Sequence, residues 1–330
     1  MNNTTSLLSK ALLGLALFFG LITSAQTPDQ VQKITSTYNQ AYLQDLAAQS
    51  LEKSTKEKQA AIEYAKARNL PISYTTKEGS FVDLQRVLPD GTLIYYTTFN
   101  VDAAKSTRTN HINIGGSTGY NLDGQNMTAH VWDGGHPRVT HQEYHGPGEN
   151  NRVTIEDGAT QLHYHAAHVV GTITASGVQA NAKGMAPRSR VKAYQWDNDL
   201  SEATTAASNG MLLSNHSYGY RADQLPDDMF GAYREDARDW DNLMFNAPYY
   251  LMVSAAGNDG NATHYNGQPF QSGYDMLSGH ATSKNNLVVA NAQDANVDSN
   301  GNLISVAISS SSSQGPTDDF RIKPDIAGNG

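Results

Sequence analysis

The sequence has 330 residues, no cysteine and a formal charge of −9 at neutral pH, with 23 Lys and Arg against 32 Asp and Glu. This acidic balance argues against a nucleic-acid partner, because no basic surface stands out to meet phosphates. The absence of cysteine excludes disulfides, thiolate metal sites and cysteine nucleophiles, and it leaves the redox compartment open. With 28 glycines and 17% charged residues, the composition is that of a loop-rich globular protein.

The first 25 residues have the pattern of a leader that is removed on export. Lys10 precedes an apolar run from Ala11 to Ile22, and the small residues Thr23-Ser24-Ala25 follow as a cleavage site. The run is shorter than the roughly 20 residues that span a bilayer, and it matches a signal-peptide core. We expect cleavage after Ala25 and a secreted or extracytoplasmic protein; a buried helix is the alternative. No later segment is long and apolar enough to span a membrane.

Residues 26–110 predict a small α+β unit. Positions 28–69 place apolar side chains near helical spacing. The strand-like runs Phe81–Val87 and Thr92–Phe99 flank Leu88-Pro89-Asp90-Gly91, and a Pro-Asp-Gly turn between such runs indicates a β-hairpin. The unit is either an ordinary N-terminal domain or a pro-segment, and these residues alone do not decide between the two.

From about residue 111, short apolar runs alternate with helix candidates, and each run ends in a polar cluster. The runs cover residues 128–132, 190–194, 211–214, 249–254 and 287–290. The clearest helix is predicted over Asp228–Asn242, on the spacing of Met229, Tyr233, Ala237 and Trp240. Strands that alternate with helices predict a doubly wound, mostly parallel α/β sheet with helices on both faces. Chemistry in such sheets gathers beyond the carboxyl ends of the strands, where the polar clusters fall.

Three histidines, His163, His165 and His168, lie close together in the sequence. Imidazoles at this density suit either a metal ion or one general base with two structural neighbours. Alternatively, all three satisfy local hydrogen bonds. The metal interpretation lacks support, because there is no H-E-x-x-H pattern and no cysteine, and the only acids nearby are Glu156 and Asp157. We therefore assign no metal ligands.

Asp133 and Asn258 each follow an apolar run that ends in a polar cluster. A buried carboxylate needs a partner to stay ionised, and an imidazole N–H provides one while fixing the histidine tautomer. A histidine oriented in this way can take a proton from a hydroxyl. The Asn258 amide has two N–H donors and no charge, which suits it to an oxyanion. Each residue alone is more simply a turn residue, and only the ordered set is specific.

That ordered set resembles the subtilisin-like serine peptidases over residues 111–330. The segment 131–135 resembles the family's catalytic Asp motif, 165–172 its His motif, and Gly184-Met185-Ala186-Pro187 the turn after the His helix. Ser217-Tyr218-Gly219 resembles the substrate-binding strand, and 253–258 the segment that ends in the oxyanion Asn. The segments 313–317 and 322–326 resemble the stretch shortly before the nucleophile.

The resemblance implies an exported serine endopeptidase that acts on proteins or peptides. Asp133 would orient His165, His165 would act as the base, and Asn258 would help to hold the oxyanion. The peptide substrate would bind as an extra strand beside Ser217, Tyr218 and Gly219. The first specificity pocket would be lined by Ala255, Ala256 and Gly257. No cofactor is required; calcium is common in the family, but its ligands are not assigned.

The resemblance also implies that residues 26–110 are a pro-segment, which assists folding and blocks the site. We expect processing between Val101 and Gly119, with the pro-segment as the protein's own partner.

The sequence departs from the family at the nucleophile, which sits in a Gly-Thr-Ser-x-Ala type of motif that these 330 residues do not contain. Ser309–Ser313 cannot substitute, because they precede the Gly315-Pro316 segment and do not open a helix. We therefore expect a chain that stops before its serine and is inactive as it stands. Gly134, Ala166 and Ala167 also replace residues that are usual in the two motifs, with loss of local hydroxyls, which should affect rate more than mechanism. A non-catalytic peptide-binding relative and a His-ligated metal hydrolase are the alternatives.

Overall fold

The computed structural model describes residues 26–75, 81–98, 109, 112–115, 117–145, 151–178, 182–262, 274–298 and 302–329. The leader predicted over residues 1–25 lies outside these ranges, as does most of the predicted processing region. Within the described ranges, no helix is both long and apolar enough to cross a bilayer.

Two helices and a three-stranded antiparallel sheet form the N-terminal part of the fold. The elements are α1 (Pro28–Thr35), α2 (Gln40–Arg68), β1 (Ser73–Thr75), β2 (Phe81–Val87) and β3 (Leu93–Thr98). Thr27 and Gln30 form a reciprocal capping box at the start of α1, and Asn39 caps α2. Asn69 ends α2 in the left-handed conformation, with a φ of 54°. The predicted hairpin is present, whereas the single helical pattern is divided into two helices.

A seven-stranded parallel sheet forms the centre of the remaining chain. Its strands are β4 (Thr128–Asp133), β5 (Val153–Ile155), β6 (Arg190–Gln195), β7 (Leu213–His216), β9 (Leu251–Ala255), β10 (Leu287–Ala292) and β13 (Ile326–Asn329). Their order across the sheet is β13-β10-β9-β7-β4-β6-β5. The helices are α3 (Tyr164–Thr174), α4 (Asp199–Ser208) and α5 (Glu235–Asn246). Three short strands lie outside this sheet: β8 (Tyr218–Tyr220), β11 (Asn296–Val297) and β12 (Leu303–Ser305).

The central sheet is covered by helices on both faces, as predicted. Successive residues of β4 point to opposite faces of a sheet. Val131 packs with Val169 and Val170 of α3, whereas Trp132 packs in a second cluster with Ala203 of α4. The doubly wound α/β class is therefore confirmed by the packing of a single strand.

The helix predicted from Asp228 begins seven residues later, at Glu235, so its predicted start was wrong. Met229 lies instead in a short 3₁₀ turn that follows Pro226. Gly231 then adopts a φ of 68°, in the left-handed region, which interrupts helical geometry before α5 can start. Only the second half of the predicted pattern, from Ala237 onward, lies on the helix.

The N-terminal elements and the central sheet share their packing. Strand β8 pairs antiparallel with β3, with Tyr96 opposite Tyr220 and Gly219 opposite Thr97. This pairing makes β8 the fourth strand of the N-terminal sheet. Tyr38 and Leu43, from the N-terminal helices and their connection, lie in one buried cluster with residues of the central sheet and its helices, including Trp132, Trp196 and Trp240.

Ion pairs reinforce this contact. The Arg86 guanidinium makes two hydrogen bonds to the Asp236 carboxylate at the start of α5, one of them 2.5 Å long. The Lys58 ammonium lies 2.6 Å from Asp83 and 3.2 Å from Asp197, which joins α2 to the chain just before α4. Because these side chains are mostly shielded from solvent, the pairs are screened less than ordinary surface ion pairs.

A buried chain of polar groups lies beneath β8. The Tyr218 hydroxyl donates a 2.7 Å hydrogen bond to the Asp199 carboxylate, and it also lies 2.8 Å from His216 Nδ1. The other His216 nitrogen lies 2.8 Å from the Ser214 hydroxyl. Burial raises the pKa of Asp199 to about 7, against the opposing effect of the hydrogen bond from Tyr218.

The raised pKa of Asp199 predicts a pH-dependent stability difference. The native carboxyl binds its proton more tightly than the unfolded chain does. This group therefore lowers the free energy of unfolding as pH rises from about 4 to 7. Asp199→Asn removes that contribution while it keeps an acceptor for Tyr218. From pH 5 to pH 8, the free energy of unfolding measured in urea should rise by about 2 kcal/mol for the variant relative to the parent. A difference that stays constant over this range would contradict the assignment.

Candidate active site

The carboxyl ends of three neighbouring strands bring the predicted site residues to one edge of the sheet. Trp132 of β4 pairs with His216 of β7, and His216 pairs with Ser254 of β9. The residues that follow these positions are therefore level with one another. Adjacent strands lie about 4.8 Å apart, so the ends of β4 and β9 are separated by about 10 Å. One extended peptide can reach across this distance.

At the end of β4, the Asp133 carboxylate is paired with His165, the second residue of α3. Asp133 Oδ2 lies 2.7 Å from His165 Nδ1, and the Gly134 N–H donates a 2.7 Å hydrogen bond to Oδ1. The two side chains are almost fully buried, with residue exposures of 1% and 4%. Burial alone would raise the pKa of Asp133, but His165, His163 and the Gly134 N–H outweigh it and lower the pKa. The carboxylate therefore stays ionised and accepts the Nδ1 proton of His165.

A glycine sets the approach of the histidine segment to β4. The His136 N–H donates to Gln161 O at 2.9 Å, and the His163 N–H donates to His136 O at 2.9 Å. A Cβ on Gly135 would lie only 2.7 Å from Gln161 O and 3.0 Å from the His163 Cβ. The absence of a side chain at Gly135 is therefore what allows α3 to begin beside Asp133.

We expect Gly135→Ala to destabilise the protein by about 1 to 3 kcal/mol. The backbone at Gly135 or the segment from Gln161 to His163 must move to make room for the methyl group. Gly171→Ala, within α3, is the matched control. A Cβ there meets no neighbour within 4 Å, so alanine should be neutral or stabilising by up to about 1 kcal/mol. Chemical denaturation of both variants measures the difference, and equal stability of the two would contradict this role for Gly135.

The turn predicted from Gly184-Met185-Ala186-Pro187 closes the far end of α3. The N–H groups of residues 184, 185 and 186 donate to carbonyl oxygens of Ala175, Thr172 and Ile173 at 2.8 to 2.9 Å. These bonds satisfy acceptors that a helix leaves free at its carboxyl end. A Cβ on Gly184 would lie 2.6 Å from the Ala175 nitrogen, so the turn needs glycine there.

Arg152 is a structural residue that the sequence analysis did not identify. It is only 4% exposed, and its guanidinium donates to Thr174 O at 2.7 Å and to Ser189 O at 2.8 Å. It therefore joins the end of α3 to the segment that enters β6. No local pattern marks it, because an arginine that caps carbonyls from distant segments looks like any surface arginine in a sequence.

Two of the three predicted histidines, His163 and His165, lie beside Asp133, whereas His168 does not belong to this cluster. His163 is 8% exposed, and its Nδ1 lies 3.6 Å from Asp133 Oδ1, beside the His165 contact. His168 is exposed on α3. One ligand atom from each of Asp133, His163 and His165 lies within 4.8 Å of the others, whereas the full set of three histidines is not assembled. The approach of His163 to Asp133 was not predicted, because nothing in the sequence pattern marks it.

Asn258 lies in the loop after β9, and its side chain is exposed. Gly257 precedes it with a φ of 112°, and the Gly257 carbonyl accepts a 3.0 Å hydrogen bond from the Ser313 N–H. The Ser313 hydroxyl in turn accepts a 3.0 Å bond from the Asp259 N–H. Ser312 and Ser313 are fully buried, so this end of the serine run holds the Asn258 loop in place.

The predicted substrate-binding residues lie at the same edge. Ser217 follows β7, and its hydroxyl accepts a 2.9 Å hydrogen bond from Asn215. Tyr218 is fully buried, and β8 presents its backbone to β3. Of the predicted pocket residues, Ala256 packs in a buried cluster with Leu277, Ala281 and Val288, between the half-buried Ala255 and Gly257.

The fold and the site define an α/β protein with a buried Asp–His pair at the carboxyl edge of a parallel sheet. The model of the subtilase family, peptidase family S8, matches residues 90–330. The chain therefore belongs to the subtilase family, whose members are serine-type peptidases.

Comparison with solved structures gives distant likenesses. The CspB protease of Clostridium perfringens is 13% identical, with a TM-score of 0.47, over 69% of this chain and 79% of that one. The patellamide maturation protease PatG is 16% identical, with a TM-score of 0.39, over 59% and 63% of the two chains. MycP1 from Mycobacterium smegmatis is 17% identical, with a TM-score of 0.41, over 74% and 65%. The chain thus spans less than two thirds of the last two structures, and no curated protein matches it.

Proposed function

We propose that this chain carries most of the site of an exported serine endopeptidase, in which Asp133 and His165 belong to an Asp-His-Ser triad. The observation that carries the proposal is the 2.7 Å contact between Asp133 Oδ2 and His165 Nδ1 at the carboxyl edge of the sheet. Family membership supports the same reaction class.

The proposed mechanism follows from the proton positions at this pair. Because the Asp133 carboxylate accepts the Nδ1 proton, the other ring nitrogen, Nε2, is free of a proton and can accept one. His165 then takes the proton of the serine hydroxyl as it attacks the peptide carbonyl, and passes that proton to the leaving amine. Asp133 stays ionised throughout and stabilises the imidazolium.

Asn258 is proposed to donate an amide N–H to the oxyanion, together with a backbone N–H. Its position supports this role, because the exposed side chain follows β9 at the edge that carries Asp133. A preorganised donor of this kind stabilises charge that develops only in the transition state. The hydrogen bonds of Ser313 with Gly257 and Asp259 would hold the Asn258 side chain in position.

The backbone of Ser217, Tyr218 and Gly219 is proposed to bind the peptide as an added strand, while Ala255, Ala256 and Gly257 wall the first specificity pocket. Backbone pairing gives affinity that does not depend on side-chain identity. The pairing of β3 with β8 supports this assignment, because a strand of this chain already binds there in the antiparallel mode.

The nucleophile is proposed to be a serine outside these 330 residues, since they contain no Gly-Thr-Ser-x-Ala motif. Burial of Ser312 and Ser313 supports their exclusion as nucleophiles. The 330-residue chain alone is then expected to be inactive. The reaction needs no cofactor, and structural calcium with unassigned ligands stays a prediction.

Residues 26–110 are proposed to act as the pro-segment, with processing between Val101 and Gly119 after export by the leader at residues 1–25. Support comes from β3, which pairs with the proposed substrate strand, and from the ion pairs of Arg86 with Asp236 and of Lys58 with Asp197. Removal of this unit would be required before an external peptide can use the β3 position.

The test uses the complete protein with a fluorophosphonate, which reacts with an activated serine. We expect one adduct per chain, in a Gly-x-Ser segment C-terminal to residue 330, and peptide hydrolysis that persists after chelation. Peptide binding without adduct or hydrolysis would favour the non-catalytic relative. Loss of hydrolysis on chelation, restored by about one zinc per chain, would instead favour the metal hydrolase.

A further inference from the structure

Asp133, His163 and His165 form a compact set of donors that the proposed reaction does not fully use. His163 Nδ1 lies 3.6 Å from Asp133 Oδ1, and His165 Nδ1 lies 2.7 Å from Asp133 Oδ2. One ligand atom from each residue lies within 4.8 Å of the others. All three residues are more than nine-tenths buried. Asp133 and His165 alone suffice to orient the base, and His163 adds a second imidazole beside the same carboxylate.

The donor chemistry suits zinc. Two imidazoles and one carboxylate are typical ligands of Zn²⁺, whereas hard cations prefer sets made of oxygen alone. Zinc bonds of about 2.0 to 2.1 Å at tetrahedral angles place neighbouring ligand atoms about 3.3 Å apart. The two imidazoles lie 2.7 and 3.6 Å from different oxygens of the carboxylate, on either side of that value. With the three ligand atoms within 4.8 Å of one another, modest side-chain rotations would bring them to zinc distance.

The backbone holds His163 in place for this contact. His163 is the N-cap residue of α3 in extended conformation, and its side chain makes no capping hydrogen bond. Its N–H is bound to His136 O, and Gly135 packs against its Cβ. His163 therefore directs its imidazole towards the same carboxylate as His165, which stands two residues later.

We propose that Asp133, His163 and His165 bind Zn²⁺ reversibly and that this binding inhibits the enzyme. The inhibitory effect, though not the binding, rests on the proposed function. Zinc on His165 Nδ1 displaces the Nδ1 proton, and a neutral imidazole then carries its proton on Nε2. The Nε2 atom cannot accept the serine proton in that state, and Asp133 is engaged by the metal. His163 thus makes the base sensitive to zinc.

The first test measures zinc binding to the 330-residue chain by competition with a fluorescent chelator. Co²⁺ serves as the optical probe, because tetrahedral Co²⁺ absorbs strongly in the visible. We expect one ion per chain, and an affinity at least about tenfold lower in His163→Asn. His168→Asn, on the same helix but outside the cluster, is the matched control and should bind like the parent. Equal affinity of His163→Asn and parent, or no binding by the parent, would overturn the proposal.

The second test measures hydrolysis by the complete protein over a zinc series. The parent should be inhibited, and the inhibition constant should rise at least about tenfold in His163→Asn, relative to its own zinc-free rate. Hydrolysis that zinc does not affect would overturn the inhibitory role. A protein that binds zinc at this cluster but never hydrolyses peptides would overturn the proposed function and leave the metal site standing. Activation by zinc would overturn both.

Discussion

His165→Ala should lower kcat/KM for peptide hydrolysis by about 10⁴-fold or more in a protein that includes the proposed serine. The variant loses the only group proposed to take the serine proton, and it leaves the buried Asp133 carboxylate without its 2.7 Å partner. Steady-state hydrolysis of a chromogenic peptide measures the loss. Thermal unfolding of the same variant shows whether the fold survives.

His163→Ala is the matched comparison, because the same ring is removed from the same carboxylate. His163 Nδ1 lies 3.6 Å from Asp133 Oδ1, beyond normal hydrogen-bond length. We expect its removal to reduce kcat/KM by less than about tenfold, in keeping with the loss of a weak contact to a charged group. Losses of equal size in the two variants would show that the base has been assigned to the wrong histidine or to neither.

Asp133→Asn should lower kcat by about 10⁴-fold while it preserves the shape of the site. The Gly134 N–H donates to one carboxylate oxygen, so the asparagine must keep its carbonyl oxygen on that side. Its NH₂ group then faces His165 Nδ1 and donates to it. Nδ1 must become the acceptor, the ring proton moves to Nε2, and the histidine can no longer take the proton of the serine.

KM and the unfolding temperature separate this explanation from simple unfolding. A wrong tautomer should leave KM for the peptide nearly unchanged, because it does not alter the backbone of Ser217 and Gly219, which is proposed to bind the substrate. A misfolded site would raise KM and lower the unfolding temperature together. Retention of more than a tenth of the parental kcat would contradict the proposed role of Asp133.

The central sheet was predictable because its strands carry local signals. Apolar runs ended in polar residues at β4, β6 and β10, and the structure places strands there within two residues. β7 and β9 begin two residues later than predicted, at Leu213 and Leu251, although Met211 and Tyr250 ahead of them are buried. β5, β13 and α4 were missed: β5 and β13 are only three and four residues long, and α4 is a helix of small and polar residues.

The sequence predicted the site only where a polar side chain comes directly after an apolar strand. A buried carboxylate at a strand end needs a partner, which predicted an imidazole beside Asp133. The resemblance to the subtilisin-like peptidases singled out His165, and the structure joins the two residues. Nothing in the local pattern places His163 on the same carboxylate or Arg152 under α3. These contacts depend on how distant segments pack, which hydrophobic periodicity does not encode. The pairing of β3 with β8 was missed for the same reason, since neither strand specifies its partner.

The cluster that contains Tyr38, Leu43 and Trp196 also determines how the chain melts. The N-terminal helices pack in this cluster together with the central sheet. In addition, β8, which lies far along the chain from β3, is the fourth strand of the N-terminal sheet. Before any cleavage, the two parts therefore form one cooperative unit and should melt in a single calorimetric transition. Removal of residues 26–110, as proposed for a pro-segment, would expose the aromatic rings beneath them to water, and the remaining protein should then bind dyes that report exposed apolar surface.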